Sequence, residues 1–350
     1  MFFKTKNLPL APLLFLLAIL ISSLGCKSQK QLGNLEQSAS GRFAFYNVEN
    51  LFDVFDDPNK NDEEFTPEGN KKWTKPRYQQ KINQLSEVIV GMDFPDLLGV
   101  CEVENELVLT DWAANPVLKP YKYQVVHYES PDKRGIDNGF LYKKNKFKVL
   151  NSEAIQINFP ADIVKDYKTR DILYIQGIYQ GSDTLHVFIN HWPSRRGGLK
   201  ASQPKRVYVA SQLRKKTDAI FSQNPNANIL LMGDFNDETD NISIATTLGA
   251  GPANPKNKQY LYNLTQPLDL AGKGTYKYKE NWNMLDQIIV SKNLLTGKLA
   301  VQDAQIYQPD YLNYVDKKYG KRPNKTYGGK NYYGGYSDHY PVFVDVKRRN

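Results

Sequence analysis

Residues 228–236 read NILLMGDFN, an apolar run that closes on Asp234 with Asn236 two positions on. A run this short, bounded by polar residues, reads as a β-strand. Residues two apart on an extended segment point the same way, so this carboxylate and amide can address one point in space. The same letters also suit an Asx turn with no chemistry in it. The pattern recurs. RFAFYNV (42–48), DLLGVCEV (96–103), NGFLYKK (138–144), LHVFINHW (185–192), LDQIIVS (285–291) and YPVFVDV (340–346) are runs of the same kind. Helical patterns fall between some of them. KPRYQQKINQLSEVIVGM places Ile82, Leu85, Val88 and Ile89 on one face, and KRVYVASQLRKKTDAIF does the same with Val209, Leu213 and Ile220. Strands mixed with helices over about 300 residues predict an α/β layered fold.

Several of these strands end in polar groups of one kind. The first closes on Asn47, with Glu49, Asn50 and Asp53 following, and the second closes on Glu102. INHWPSRRGG gives His191, then Arg195, Arg196 and two glycines; Asp286 stands just before QIIVS; SDHYPV supplies Asp338 and His339. A strand interior seldom needs a carboxylate, so one at its end faces solvent, a cation or an arginine. Glycines let backbone approach a ligand and arginine matches phosphate oxygens, although a solvated basic hairpin tip would carry the same letters. Each feature has a dull explanation of its own, but those explanations are independent and the functional one is shared. With only four histidines and two cysteines in the chain, hard oxygen ligands point to Mg²⁺ or Mn²⁺ rather than zinc. A histidine beside such a cluster, oriented by a carboxylate, suits proton transfer.

A chain of 350 residues with 41% hydrophobic and 12% aromatic content can bury a large core, which argues against disorder. Lys4, Lys6 and an apolar stretch from about Leu8 to Leu24 read as a secretory signal over 1–26. Gly25-Cys26 at its end resembles a bacterial lipoprotein signal, in which Cys26 carries the lipid. That places the protein outside the cytoplasm, anchored to a membrane or, with ordinary cleavage, secreted. Residues 27–40, KSQKQLGNLEQSAS, have the composition of a flexible tether. One domain over 41–348 accounts for the rest. Loss of Lys4 and Lys6, the two charges in 1–26, lowers the formal charge from +9 to +7, still basic enough to favour anionic partners. If Cys26 is lipidated, Cys101 has no disulfide partner, and at a buried strand end it reads as packing.

Six motifs taken together, YNVEN, GVCEVEN, INHWPS, GDFND, LDQIIVS and SDHYPV, resemble in order those of the endonuclease/exonuclease/phosphatase superfamily. That superfamily includes pancreatic-type deoxyribonucleases, AP endonucleases, sphingomyelinases and inositol-polyphosphate 5-phosphatases. The resemblance implies a DNase-I-like four-layer α/β sandwich, with two mixed sheets face to face, helices outside and the active site at one edge. It implies that Asn47 and Glu102 bind or orient a catalytic Mg²⁺, with Asp338 close to it. Asp234 and Asn236 would position the attacking water or bind the phosphate, with a second metal in that region as an option. His339, steadied by Asp286, would act as general base or as a phosphate-binding cation, and His191 would contact the scissile phosphate or help the leaving group. KRGIDNGFLYKK (133–144) resembles a family segment whose arginine contacts substrate, which makes Arg134 a candidate beside the alternative of a surface turn. One departure is Cys101, where the family often has glutamine before the catalytic glutamate.

Two substrate classes remain open from the sequence. The segment 311–336, YLNYVDKKYGKRPNKTYGGKNYYGGY, interleaves Lys and Arg with Tyr just before Asp338, which suits nucleic acid through base stacking and phosphate contacts. A Tyr/Gly-rich loop packed on the domain is the bland counterpart. The alternative enzyme hydrolyses a smaller phosphoester, a lipid headgroup, inositol phosphate or nucleotide, with Arg195 and Arg196 as the clamp. No protein partner is implied and the chain reads as a monomer.

Overall fold

The computed structural model describes residues 1–2, 40–252 and 261–349. The signal over 1–26, Cys26 and most of the 27–40 tether therefore lie outside the described residues. Gly41–Asn350 is one compact unit, divided from Met1–Ser40. Among the described residues no helix is long and apolar enough to cross a membrane.

Two sheets form the centre. In the first, the strands Leu299–Val301, Val342–Arg348, Ser40–Leu51, Leu97–Val103, Asp137–Lys143 and Tyr123–His127 lie in that order, with Gln305–Ile306 added beside Val342–Arg348. In the second the order is Phe147–Ile155, Ile172–Tyr179, Asp183–His191, Asn228–Asp234, Asp286–Ser291, Leu261–Asn263 and Ala250–Gly251. Both sheets are mixed. Ser40–Leu51 runs parallel to Leu97–Val103, and Asp183–His191 parallel to Asn228–Asp234, while most other neighbours are antiparallel.

The period of two along each strand explains the layers. Phe43 and Phe45 join Val187, Ile189, Leu230 and Met232 in the core between the sheets. Ala44 and Tyr46 face the opposite way, onto the helices Lys75–Gly91 and Glu106–Ala113. In the second sheet Phe188, Ile229 and Leu231 turn outward onto the helix Leu199–Gln223, whose buried face includes Val209, Leu213 and Ile220. Strands covered on both faces read as unbroken apolar runs. Gly99 marks the close approach of the sheets, since a Cβ there would stand 2.5 Å from Ile189 Cδ1. The result is helix, sheet, sheet, helix.

One stretch read as a loop has more order than its composition suggests. Within 311–336, Asn313–Asp316 pairs with Gly320–Pro323, and Tyr327–Gly328 with Asn331–Tyr332. Tyr327 is buried against Phe65 and Trp73, so part of the tyrosine content is core.

Candidate active site

The strand ends converge at one edge of the sandwich, and strand register does the placing. His191 pairs with Asp234 across the parallel ladder, and Asp286 pairs with Asp234 across the antiparallel one, so three chemical groups stand abreast on three neighbouring strands. From the other sheet Asn47 pairs with Cys101, which puts it beside Glu102. Glu102 sits at a register shift with φ of +61°, a left-handed conformation costly for a residue with a Cβ. The bulge turns the carboxylate toward the opposite sheet.

Asn47 ties the two sheets together. Its amide donates to Glu102 Oε1 at 3.4 Å and to Asp234 Oδ2 at 3.1 Å, while its Oδ1 accepts the Glu49 N–H at 3.0 Å. In this arrangement it orients the two carboxylates. The Asn50 N–H reaches Glu102 Oε2 at 3.1 Å. Asp234 Oδ1 accepts the N–H of Asn236, whose φ of +52° asparagine tolerates, and the Asn236 side chain donates to Trp192 O at 3.0 Å.

His339 Nδ1 meets Asp286 Oδ2 at 2.6 Å, leaving Nε2 at 4.0 Å from Asp234 Oδ2 and 3.9 Å from Asp338 Oδ1. Ser337 anchors the segment, accepting the His339 N–H and donating to Asn47 O. Tyr276 packs on the imidazole with ring centroids 4.9 Å apart. Burial alone would depress the imidazole's pKa, but Asp286, Asp234 and Asp338 outweigh it and hold His339 well above the ordinary histidine value. His191 has the opposite fate. Burial, with the charges of Arg170 and Arg134, pushes it well below the ordinary value, so it is neutral. Its Nε2 lies 3.8 Å from Glu102 Oε1 and 3.7 Å from Asp234 Oδ2.

The acids crowd one another. Burial and then Asp338 raise Glu102, and burial raises Asp234 to about 6 against the influence of His339. Such surplus negative charge among hard oxygen donors fits a divalent cation. Glu102 and the part-exposed Asp338 could hold one with Asn47 beside them. Asp234, Asp286 and His339 form a second group, with ligand atoms within 4.8 Å of one another.

The three arginines separate. Arg134 has a half-exposed side chain with Nε 3.3 Å from Asp132 Oδ1, and its charge reaches Glu102. Arg195 is a brace: it donates to Asn236 O at 2.8 Å, Asn283 Oδ1 at 3.3 Å and Asn241 Oδ1 at 3.2 Å, with Glu238 alongside. Its donors are committed to the protein rather than free for a phosphate. Arg196 is exposed beside Gly197. Cys101 is buried in the core, and burial raises its thiol well above the usual range.

Sequence reasoning missed Arg170 and the Glu49–Lys81 pair. Arg170 is buried, with donors to Asp132 Oδ2 at 3.1 Å and Trp192 O at 2.6 Å. Glu49 accepts the N–H groups of Thr326 and Tyr327, while Lys81 donates to Thr326 Oγ1 and Tyr336 O, so the pair pins the segment leading to Asp338. RDILYI (170–175) does not mark Arg170 out, because an arginine before a strand is commonplace.

None of the curated proteins compared with the chain matches it. Solved structures do. Humanized D. rerio TDP2 superposes with a TM-score of 0.55 at 15% identity, covering 89% of this chain and 100% of that one. The human Nocturnin catalytic domain with bound sulfate gives 0.55 at 17% identity, covering 89% and 95%. A mannosyl-6-phosphatase of Bacteroides thetaiotaomicron gives 0.53 at 17% identity, covering 87% and 99%. At these identities the likeness is one of fold. The family profile described as Endonuclease/Exonuclease/phosphatase family matches residues 42–348, and the chain therefore belongs to that family of phosphoesterases.

Proposed function

We propose that the protein is a Mg²⁺-dependent phosphodiesterase acting on nucleic acid outside the cytoplasm, held at a membrane by a lipid on Cys26 and working as a monomer. The observation that carries the chemistry is the Asp286–His339 pair, with Nε2 between Asp234 and Asp338. Protonated His339 binds a phosphate oxygen. Asp234, fixed by the Asn236 N–H and the Asn47 amide, takes the proton of the attacking water. Neutral His191, on the neighbouring strand, faces the leaving group. Glu102 and Asp338 would hold the Mg²⁺ ion, which would supply neutralisation of the charge developing on the phosphate oxygens. Mn²⁺ has the same ligand preferences.

The nucleic-acid substrate is supported by a groove in the segment that leads to Asp338. Exposed Tyr314 and Tyr333 line it together with Arg322 and Lys325, around a volume of about 510 Å³. Asn324, in the same wall, accepts the N–H of Ser337 next to Asp338, so groove and catalytic edge share backbone. Aromatic faces with interleaved cations suit a strand of bases and phosphates. Incubation of supercoiled plasmid with Mg²⁺, with EDTA, and with the His339→Ala variant tests both levels. Nicking that requires metal and His339 supports the proposal. An intact plasmid together with His339-dependent hydrolysis of bis-nitrophenyl phosphate or a phospholipid would replace nucleic acid by the smaller phosphoester.

A further inference from the structure

A second cluster of ligand-type side chains stands on the outer strands of the first sheet. His127 ends the strand Tyr123–His127 and pairs with Gly139, while Asp137 opens the neighbouring strand two residues earlier. The two are diagonal neighbours on one face, close enough for their side chains to meet. Glu129 follows His127 by two positions, which on extended chain sends it to the same side. His127 Nε2 lies 3.2 Å from Asp137 Oδ2, and the ligand atoms of all three residues fall within 4.8 Å of one another.

We infer that His127, Glu129 and Asp137 form a binding site for a divalent transition-metal ion of the zinc class, separate from the catalytic carboxylates. The side chains of His127 and Asp137 are 3% and 1% exposed, yet neither His127 Nε2 nor Asp137 Oδ2 makes a hydrogen bond. Buried polar atoms normally have such a partner. A nitrogen and an oxygen 3.2 Å apart without hydrogen-bond alignment match one edge of a coordination polyhedron whose ligands stand about 2.0–2.2 Å from a shared ion. The other oxygen of Asp137 accepts the Ser130 N–H at 2.9 Å, which fixes the carboxylate with Oδ2 toward the imidazole.

Access and charge agree with this. Glu129 lines an open cavity of about 100 Å³ whose walls also carry Asp53, Asp56 and Glu104, with Lys60 as the lone cation among its lining residues. Such a cavity concentrates cations. Burial and the neighbouring Asp137 push the Glu129 carboxyl up, a charge load that a bound ion relieves. Lys60, 3.5 Å from Glu129 Oε2, is the competitor for that carboxylate. One imidazole with two carboxylates favours a zinc-class ion over the all-oxygen sets of Mg²⁺ and Ca²⁺. An ion there would clamp both ends of the 129–137 segment that carries Arg134.

The test uses the purified full-length protein, stripped of metal and kept in excess Mg²⁺. Zn²⁺ is titrated calorimetrically, and Co²⁺ is followed in parallel by visible absorption. One equivalent of zinc should bind to the wild type and persist in Glu102→Gln, and its binding should weaken at least about tenfold in His127→Gln and in Glu129→Gln. Glu129 is half-exposed, so its variant keeps the test valid if His127→Gln misfolds. No zinc binding by the wild type, binding that survives both ligand variants, or binding lost only in Glu102→Gln would overturn the site and leave His127 and Asp137 as a plain ion pair.

Discussion

Asp286 and His339 lie 53 positions apart in the chain and meet at 2.6 Å. Each is locked from its own side: Asp286 by its ladder with Asp234 and a bond from its N–H to Thr275 Oγ1, His339 by Ser337. Because the contact fixes the imidazole and favours its charged form as a donor to the phosphate oxygen, His339→Ala should lower kcat by about 10²–10³-fold. Asp286→Asn should lower it in the same direction, with an NMR-measured His339 pKa that falls toward the ordinary value. A folded His339→Ala protein with wild-type turnover would remove His339 from the mechanism.

Arg195 and Arg196 are neighbours with different work. Arg195 reaches Asn236 O, Asn283 and Asn241, so Arg195→Ala leaves several acceptors without their charged donor. Charged hydrogen bonds contribute about 1.5–3 kcal/mol. We expect a lower Tm and a lower kcat, through looseness at Asn236. Exposed Arg196 should leave Tm unchanged when replaced by Ala, and any effect should lie in KM. Equal melting curves for the two variants would refute the division of roles.

Glu49 and Lys81 hold the 324–337 segment from below. Burial raises the carboxyl and lowers the amine, and both are bonded to that one segment, Glu49 through the Thr326 and Tyr327 N–H groups and Lys81 through Thr326 Oγ1 and Tyr336 O. Hydrogen bonds to a charged group contribute about 1.5–3 kcal/mol, and Lys81 makes two. Lys81→Ala should therefore reduce stability by that order. Amide hydrogen exchange should quicken at Thr326, Tyr327 and Ser337 well beyond any change in the Leu199–Gln223 helix. Uniform exchange across the chain would show a general loss of packing instead.

The legible part of the site was the part that local sequence controls. Asn47, Glu102, His191 and Asp234 each terminate or follow an apolar run; three of them stand at or next to a strand end, and Asn47 stands where the regular pairing of Ser40–Leu51 with Leu97–Val103 breaks. Asp338 and His339 were legible for the mirrored reason, preceding such a run. The helices Lys75–Gly91 and Leu199–Gln223 showed through their apolar faces. Arg170 was not legible, because its acceptors, Asp132 and Trp192, come from other parts of the chain and only tertiary structure brings them together. Arg195 carries the same lesson in reverse. Its run of basic and glycine letters suggests a phosphate clamp, whereas the acceptors that occupy it belong to the 236–241 turn and Asn283.

Glu104, two residues beyond Glu102 and in the wall of the cavity that Glu129 lines, provides a pH test of stability. Its Oε2 accepts the Asp53 N–H at 2.6 Å, and its carboxyl stands near Asp62, whose Oδ1 makes no hydrogen bond. Burial, with Asp53 and Asp62 close by, raises Glu104 to about 8 from an ordinary 4.5. The sign follows from linkage. Below the ordinary value both folded and unfolded chains hold the proton and the contribution is complete. Between there and about pH 8 the unfolded chain releases it while the folded chain keeps it, so stability declines across that window. An amide can still accept the Asp53 N–H and offers Asp62 a donor, without titrating. Glu104→Gln should therefore stabilise the protein at pH 8 by on the order of 1 kcal/mol, about 2 °C or more in Tm for a domain of this size, with the gain vanishing toward pH 4. A gain that is the same at both pH values would mean that the carboxyl does not titrate in this window.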